Sequence, residues 1–287
     1  MKQIRGGRPA LAAGLAMVGF SVMSGLGATW VGTEGPFTNA VNWDTGTVPT
    51  SGVPATVDNG GTSRMDGGGA WAGTVTLGEA AGTAGTLAVS AGVLTNAYLF
   101  AGKAGTGTVE QTGGEVVVSA SADPSLGLGY AASGSGTYRL SGGCLNMLGS
   151  GNLQVGAYGS GTFTQSGGAV TGRGWMVVGR YGPAGTGQVT VSGGEFCQGS
   201  TAHRLIIAEG GAGLLVVTNA GRVVLDGGLR VGMVKNNPPN DAGTGTGTVW
   251  LCQGGTLATP EVRTQGGSST FNFDGGAAHR VTVGATG

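Results

Sequence analysis

Charged side chains are scarce in this sequence, a tenth of its 287 residues, and aromatic ones are scarcer at 6%. An ordinary globular domain of that make-up would have a thin core and a poorly hydrated surface. The few basic residues form no stripe, which argues against nucleic acid as a partner. Cys144, Cys197 and Cys252 stand in no CxxC or Cys/His spacing, so neither a metal site nor a disulfide pairing follows from them. Small residues buried in strands account for them, with a free thiol or an intermolecular bond as the alternative. His203 and His279 lie near no repeated acid, so no metal site or nucleophilic triad can be assembled around either. No Gly-Lys-Ser/Thr phosphate loop and no Gly-Gly-x-Gly-x-Asp calcium turn is present, and no cofactor is called for.

Long apolar runs are also lacking. The one near the start, Pro9 to Phe20, is short, follows Lys2, Arg5 and Arg8, and leads to small residues at Gly25, Gly27 and Ala28. That order is expected of a secretory signal peptide over residues 1–27, rather than of a membrane anchor. Loss of those three basic residues takes 14 cationic side chains to 11 against 14 acidic ones, a net charge of −3. The mature chain is then expected to be secreted or held at the cell surface, with no membrane span.

Glycine, in contrast, is abundant: 65 residues, never in the strict every-third order of collagen. Its placement follows a unit that recurs about every 26 residues from Val75 to Phe271. One copy runs Leu153-Gln154-Val155-Gly156, turns to Gly161-Thr162-Phe163-Thr164-Gln165-Ser166-Gly167-Gly168, and ends Ala169-Val170-Thr171. Three short strands with glycine corners make one coil.

The units align in columns. In the first strand the apolar pairs are Val75/Leu77, Tyr98/Phe100, Leu126/Leu128, Leu153/Val155, Met176/Val178, Leu205/Ile207 and Leu229/Val231. Counting back from the paired glycines, the second strand has Leu87, Val109, Tyr138, Phe163, Val189, Val216, Trp250 and Phe271. Its neighbouring column, from Ala88 and Glu110 through Thr164 to Val217, Leu251 and Asn272, is mostly not apolar. This contrast is what period-two alternation produces when one face of a strand is buried. The third strand adds Leu94, Val116, Leu145, Val170, Phe196, Val223, Leu257 and Ala278, again without a charge. Small polar residues such as Ser141, Ser166 and Ser192 precede the glycines and suit a corner.

The fold expected from these columns is an all-β parallel β-helix of about eight three-strand coils over residues 74–287, a rod on the order of 40 Å long. Residues 28–73 match no repeat and carry Trp30, Trp43 and Trp71 with Pro36, Pro49 and Pro54, as a cap over the first coil's unpaired edge would. At the other end Phe271-Asn272-Phe273-Asp274-Gly275-Gly276 opens a further unit, which predicts either a truncated piece or self-association through the C-terminal coil edge. The segment Lys235-Asn236-Asn237-Pro238-Pro239-Asn240-Asp241 lengthens one turn and is the natural place for an exposed recognition loop.

The opening Trp30, Asn42-Trp43, Val48-Pro49 and Ala55-Thr56-Val57-Asp58, with repeats of the types Gly-Thr-Phe-Thr-Gln-Ser-Gly-Gly and Thr-Phe-Asn-Phe-Asp-Gly-Gly, resembles bacterial autotransporter-associated β-strand repeat proteins. The likeness covers nearly all of the mature chain. It implies export, a β-helical passenger-like stalk and surface display. The sequence departs from that pattern in having no C-terminal series of amphipathic strands for a translocating barrel.

β-helices also carry polysaccharide lyases and hydrolases, whose chemistry needs carboxylates converging on one outer face. Here Glu110 with Arg139 and Glu195 with Arg222 fall in shared outward columns of consecutive coils, the pairing a solvent-facing sheet favours without chemistry. Asp58, Asp66, Asp123 and Asp226 look isolated. The one aromatic enrichment, Tyr158, Trp175 and Tyr181 with Arg173 and Arg180, is a candidate sugar-contact site. Against it, Trp175 can fill core space beside Met176, while Tyr158 and Tyr181 occupy equivalent turns and can stack on each other. The function expected is therefore a non-catalytic structural, stalk or adhesive protein, with a polysaccharide or a host or matrix surface as partner. A carbohydrate-active or sugar-binding β-helix is the alternative.

Overall fold

The computed structural model describes residues 27–233, 244–264, 269–274 and 280–283. The expected signal peptide, apart from Gly27, and the insertion at 235–241 lie outside the described residues. Within them the chain is an all-β parallel solenoid of about nine turns. The described residues include a single-turn 3-10 helix, Ala40–Asn42, and no helix long and apolar enough to cross a membrane.

Coil 5 shows how the sequence builds a turn. Ser160–Gln165 lies on face A, Ala169–Gly172 on face B and Met176–Val178 on face C. Along face A, Gly161, Phe163 and Gln165 are buried while Ser160, Thr162 and Thr164 point outward. Parallel pairing repeats that choice in every coil it touches: Phe163 lies between Tyr138 and Val189, Val170 between Leu145 and Phe196, and Met176 between Leu153 and Leu205. Coils 1 and 2, Asn59–Leu77 and Ala84–Ala101, are each one long bent strand, whereas coils 3 to 8 divide into three.

A stack of like side chains fills the interior. Phe163 packs on Tyr138 with centroids 5.2 Å apart and meets Phe196 edge-on at 5.8 Å. Each fully buried aromatic or aliphatic residue contributes about 1.5–3 kcal/mol. The one phenol in this stack is satisfied: the Tyr138 hydroxyl donates to Gln111 Oε1 at 2.5 Å, and Gln111 Nε2 donates to the Cys144 carbonyl at 2.9 Å. Burial pushes the Tyr138 phenol well above its usual range.

Corners need glycine where the next coil comes closest. Gly156 has φ +71°, and a Cβ there would lie 2.0 Å from the Thr186 carbonyl oxygen of the following coil. Ala208 takes up the equivalent corner two coils on with φ 65°, a left-handed alanine.

Two stretches of the core differ from the columns counted along the sequence. In coil 2 the inward pair on face C is Leu99/Ala101, since Leu99 pairs with Val75 and Leu126. Tyr98-Leu99-Phe100-Ala101 is apolar throughout and satisfies either register, so the pattern alone does not choose. The structure turns the bulky rings out, where Phe100 meets Tyr130 at 5.4 Å. In coils 7 and 8 the inward face A residues are Leu215 and Val249, not Val216 and Trp250. Their A-to-B turns, 218–221 and 252–255, are one residue longer than 166–168 in coil 5, with Asn219 left-handed at φ 54°. Counting back from the glycines therefore slips by one, and Val217 and Leu251 point inward rather than outward.

Residues 28–57 pair onto the first coil. Ala28–Thr29 pairs with the strand Ala55–Val57, which pairs with Val75–Leu77, while Glu34–Pro36 runs beside Thr62–Arg64. Trp30, Phe37 and Trp43 form a buried edge-to-face cluster with centroids 5.1 and 4.9 Å apart, and Trp43 Nε1 donates to the Phe37 carbonyl. Residues 59–73 run in the first coil rather than in the cap, and Trp71 is 57% exposed instead of covering the edge. The cysteines are unpaired and not core residues: Cys144 is exposed, Cys197 and Cys252 half-buried.

Candidate functional site

The five residues singled out by their aromatic enrichment fall into separate places. Tyr158 and Tyr181, at equivalent C-to-A turns, stack with centroids 4.4 Å apart and planes 19° from parallel. The Arg180 guanidinium lies 4.4 Å over the Tyr181 ring. Trp175 is buried away from them, not in the main core but in a small outer cluster with Val177 and Ile206 on face C, with His203 against its edge. Arg173 is exposed and its carbonyl meets His203 Nδ1; it borders a depression on face B with Asn146, Thr171 and Cys197.

Arg180 is the most constrained member. Its side chain is 6% exposed, and it donates to both oxygens of Asp123, at 2.5 and 2.9 Å, and to Glu209 at 3.1 Å. Gln154 Nε2 also donates to Asp123. Burial alone would lower the Arg180 pKa, but the paired bonds and charge of Asp123, with Glu209, hold it above its ordinary value. Burial likewise raises the Tyr181 phenol, against the opposing pull of Arg180. Asp123 is thus no isolated acid. It reaches Arg180 across two coils, a separation of 57 residues in the chain that no adjacent-column comparison reveals.

Chemically this cluster is a two-pronged charge pair with a second carboxylate behind it. Its guanidinium is spent on the protein's own acids, and it fastens the loop before coil 3's Leu126–Leu128 to the outer side of face C. The Glu110–Arg139 and Glu195–Arg222 ladder pairs form as expected, both exposed. Among the described residues no group of three His, Cys, Asp or Glu side chains is placed to hold a metal ion.

Face A offers a different surface. Its outward columns run from Thr106 and Thr108 in coil 3 to Thr246 and Thr248 in coil 8, alternating with inward glycine at 107, 136, 161, 187, 213 and 247. Where coils 6 and 7 carry Gln188, Ala212 and Leu214 among the threonines, this face has a shallow trough of about 400 Å³. Among the described residues no charged side chain lines it. No protein-family model, curated protein or solved structure matches this chain. The trough and the Arg180 cluster must therefore be read from their own chemistry. Trp250, assigned to the core by counting from the glycines, stands on this face 38% exposed, two residues beyond Thr248. The longer 252–255 turn is the sequence signal that places it outside.

Proposed function

We propose that this chain is an exported, non-catalytic β-solenoid that serves at the cell surface as a structural stalk or adhesive passenger-like protein, of the kind found among autotransporter-associated β-strand repeats. What carries this reading is the disposition of the acids. Glu110, Glu195, Asp123 and Glu209 are each tied to an arginine, the described lining of the face A trough and of the face B depression beside Arg173 has no carboxylate, and a second face B depression is lined by one, Asp226. General acid and base chemistry on a glycan needs two carboxyl groups facing one substrate. A stacked core with broad uncharged faces suits a rod that presents surface instead. Its partners in this reading are a polysaccharide or a host or matrix surface, with self-association through the C-terminal coil edge as a further contact.

The test is a polysaccharide and matrix-protein array probed with residues 28–287, with reducing-sugar release assayed in the same wells. Binding without release is the expected result. Release of sugar would overturn the non-catalytic reading in favour of a carbohydrate-active β-helix. N-terminal sequencing of the exported protein is expected to begin near Ala28, and an intact Met1 on the mature form would refute the signal peptide.

A further inference from the structure

The trough on face A has a definite make-up. It crosses four coils, from Ser160 and Thr162 in coil 5 through Thr186 and Gln188, then Ala212 and Leu214, to Thr246 and Thr248. Three strand spacings make it about 14 Å long. Leu214 contributes the aliphatic part of the lining, and Val216 and Trp250, ladder partners in the next outward column of the same face, stand outside that lining, two residues along their strands from Leu214 and Thr248. Hydroxyls and the Gln188 amide surround Leu214.

This composition discriminates among ligands. Among the described residues the lining carries no charge, so it offers nothing there to neutralise an anionic or cationic polymer. Every strand beneath it is hydrogen-bonded on both sides, so an extended peptide finds no open backbone edge to join. A sugar ring has the matching two-sided chemistry: C–H faces for an aliphatic or indole surface, and a rim of hydroxyls for Thr, Ser and Gln.

We infer that the trough binds an uncharged polysaccharide, a few sugar units lying along the rod axis over Leu214 with Trp250 beside them. The inference deepens the adhesive reading above and rests on it. Thr162, Thr186, Gln188 and Thr248 hydrogen-bond the ring hydroxyls, while the stacked Tyr158 and Tyr181, at the corner between faces C and A, are not part of the lining.

Affinity electrophoresis of the full chain in native gels containing galactomannan, arabinoxylan or mixed-linkage β-glucan tests this, with polygalacturonate and alginate as anionic counterparts. Retardation by at least one neutral polymer is expected, weakened tenfold or more by Leu214→Lys and by Trp250→Ala, and unchanged by Tyr158→Ala. Both altered side chains are on the surface, and circular dichroism confirms that each variant is folded. No retardation by any neutral polymer, or retardation by the anionic polymers only, would overturn the inference. Retardation that both trough variants leave intact would also sink it, while leaving adhesion itself standing. Release of reducing sugar from a bound neutral polymer would instead remove the non-catalytic reading and keep the trough.

Discussion

Leu215→Ala and Val216→Ala, made at neighbouring positions of one strand in coil 7, are expected to differ several-fold in their effect on stability. Leu215 is fully buried between Val189 and Val249 in the face A column. Truncation removes three buried carbons, about 2.4 kcal/mol at ~0.8 kcal/mol each. Ladders on both sides hold the neighbouring coils at fixed spacing, so the void does not close, and the cavity term brings the cost to about 3–4 kcal/mol. Val216 faces outward and is only half-buried, so its truncation costs about 0.5–1 kcal/mol. Urea unfolding followed by far-ultraviolet circular dichroism reads both, with the slope compared so that a change in cooperativity is not mistaken for a change in stability. A solenoid is a chain of nearest-neighbour interfaces, and loss at a central coil is expected to broaden the transition as well as shift it. If Val216→Ala costs as much as Leu215→Ala, the strand lies in the register counted from the glycines and the outward placement of Trp250 fails with it.

Arg180→Met deprives Glu209, whose side chain is 11% exposed, of its guanidinium, and is expected to cost about 2–3 kcal/mol, reduced from the full value of a buried pair because Asp123 is 37% exposed to screening water; a change under 0.5 kcal/mol in the unfolding midpoint analysis would refute the structural role of the cluster. Gly156→Ala meets the Thr186 carbonyl and is expected to exceed 3 kcal/mol, whereas Gly182→Ala, left-handed at φ +56° with no atom within 4 Å of its Cβ, carries only the ~1 kcal/mol backbone strain. Equal costs for the two would mean that conformation alone, not coil spacing, selects these glycines. For the thiols, burial, reinforced by Asp226 and Glu195 and opposed by Arg222, pushes Cys197 up, and burial with Asp274 raises Cys252. Less thiolate at pH 8 then makes both react more slowly with iodoacetamide than the exposed Cys144, an order that timed peptide mass spectrometry checks.

Much of the fold was legible because the coils are in register: a column of like residues in the sequence becomes a ladder of like residues in space. Leu126, Leu153, Met176 and Leu205 line up in both. Legibility failed where the local pattern permits two answers. Four apolar residues at 98–101 allow either face inward, and the extra turn residue near Asn219 shifts a count anchored on glycine without disturbing the alternation that precedes it. The candidate site was less legible. Stacking of Tyr158 on Tyr181 follows from their equivalent turns, but Asp123 reaches Arg180 across two coils, a distance that nearest-neighbour columns do not sample. The trough on face A includes Leu214, Ala212 and Gln188 in place of threonine or serine, and a departure from a repeat is visible only once the correct register is known.

The parallel ladders also set how this rod yields to tension. Its inter-coil hydrogen bonds lie along the long axis, so a pull between its ends loads one coil's bonds at a time and opens them as a zipper opens. From Phe163 to its ladder partner Val189 the chain runs 26 residues, about 90 Å when drawn out, folded into a rise of about 4.8 Å. Each coil that peels away lengthens the tether many times over while the rest of the stack stays intact. A body anchored by such a chain would be held by a leash that pays out under load, not by a strut that snaps.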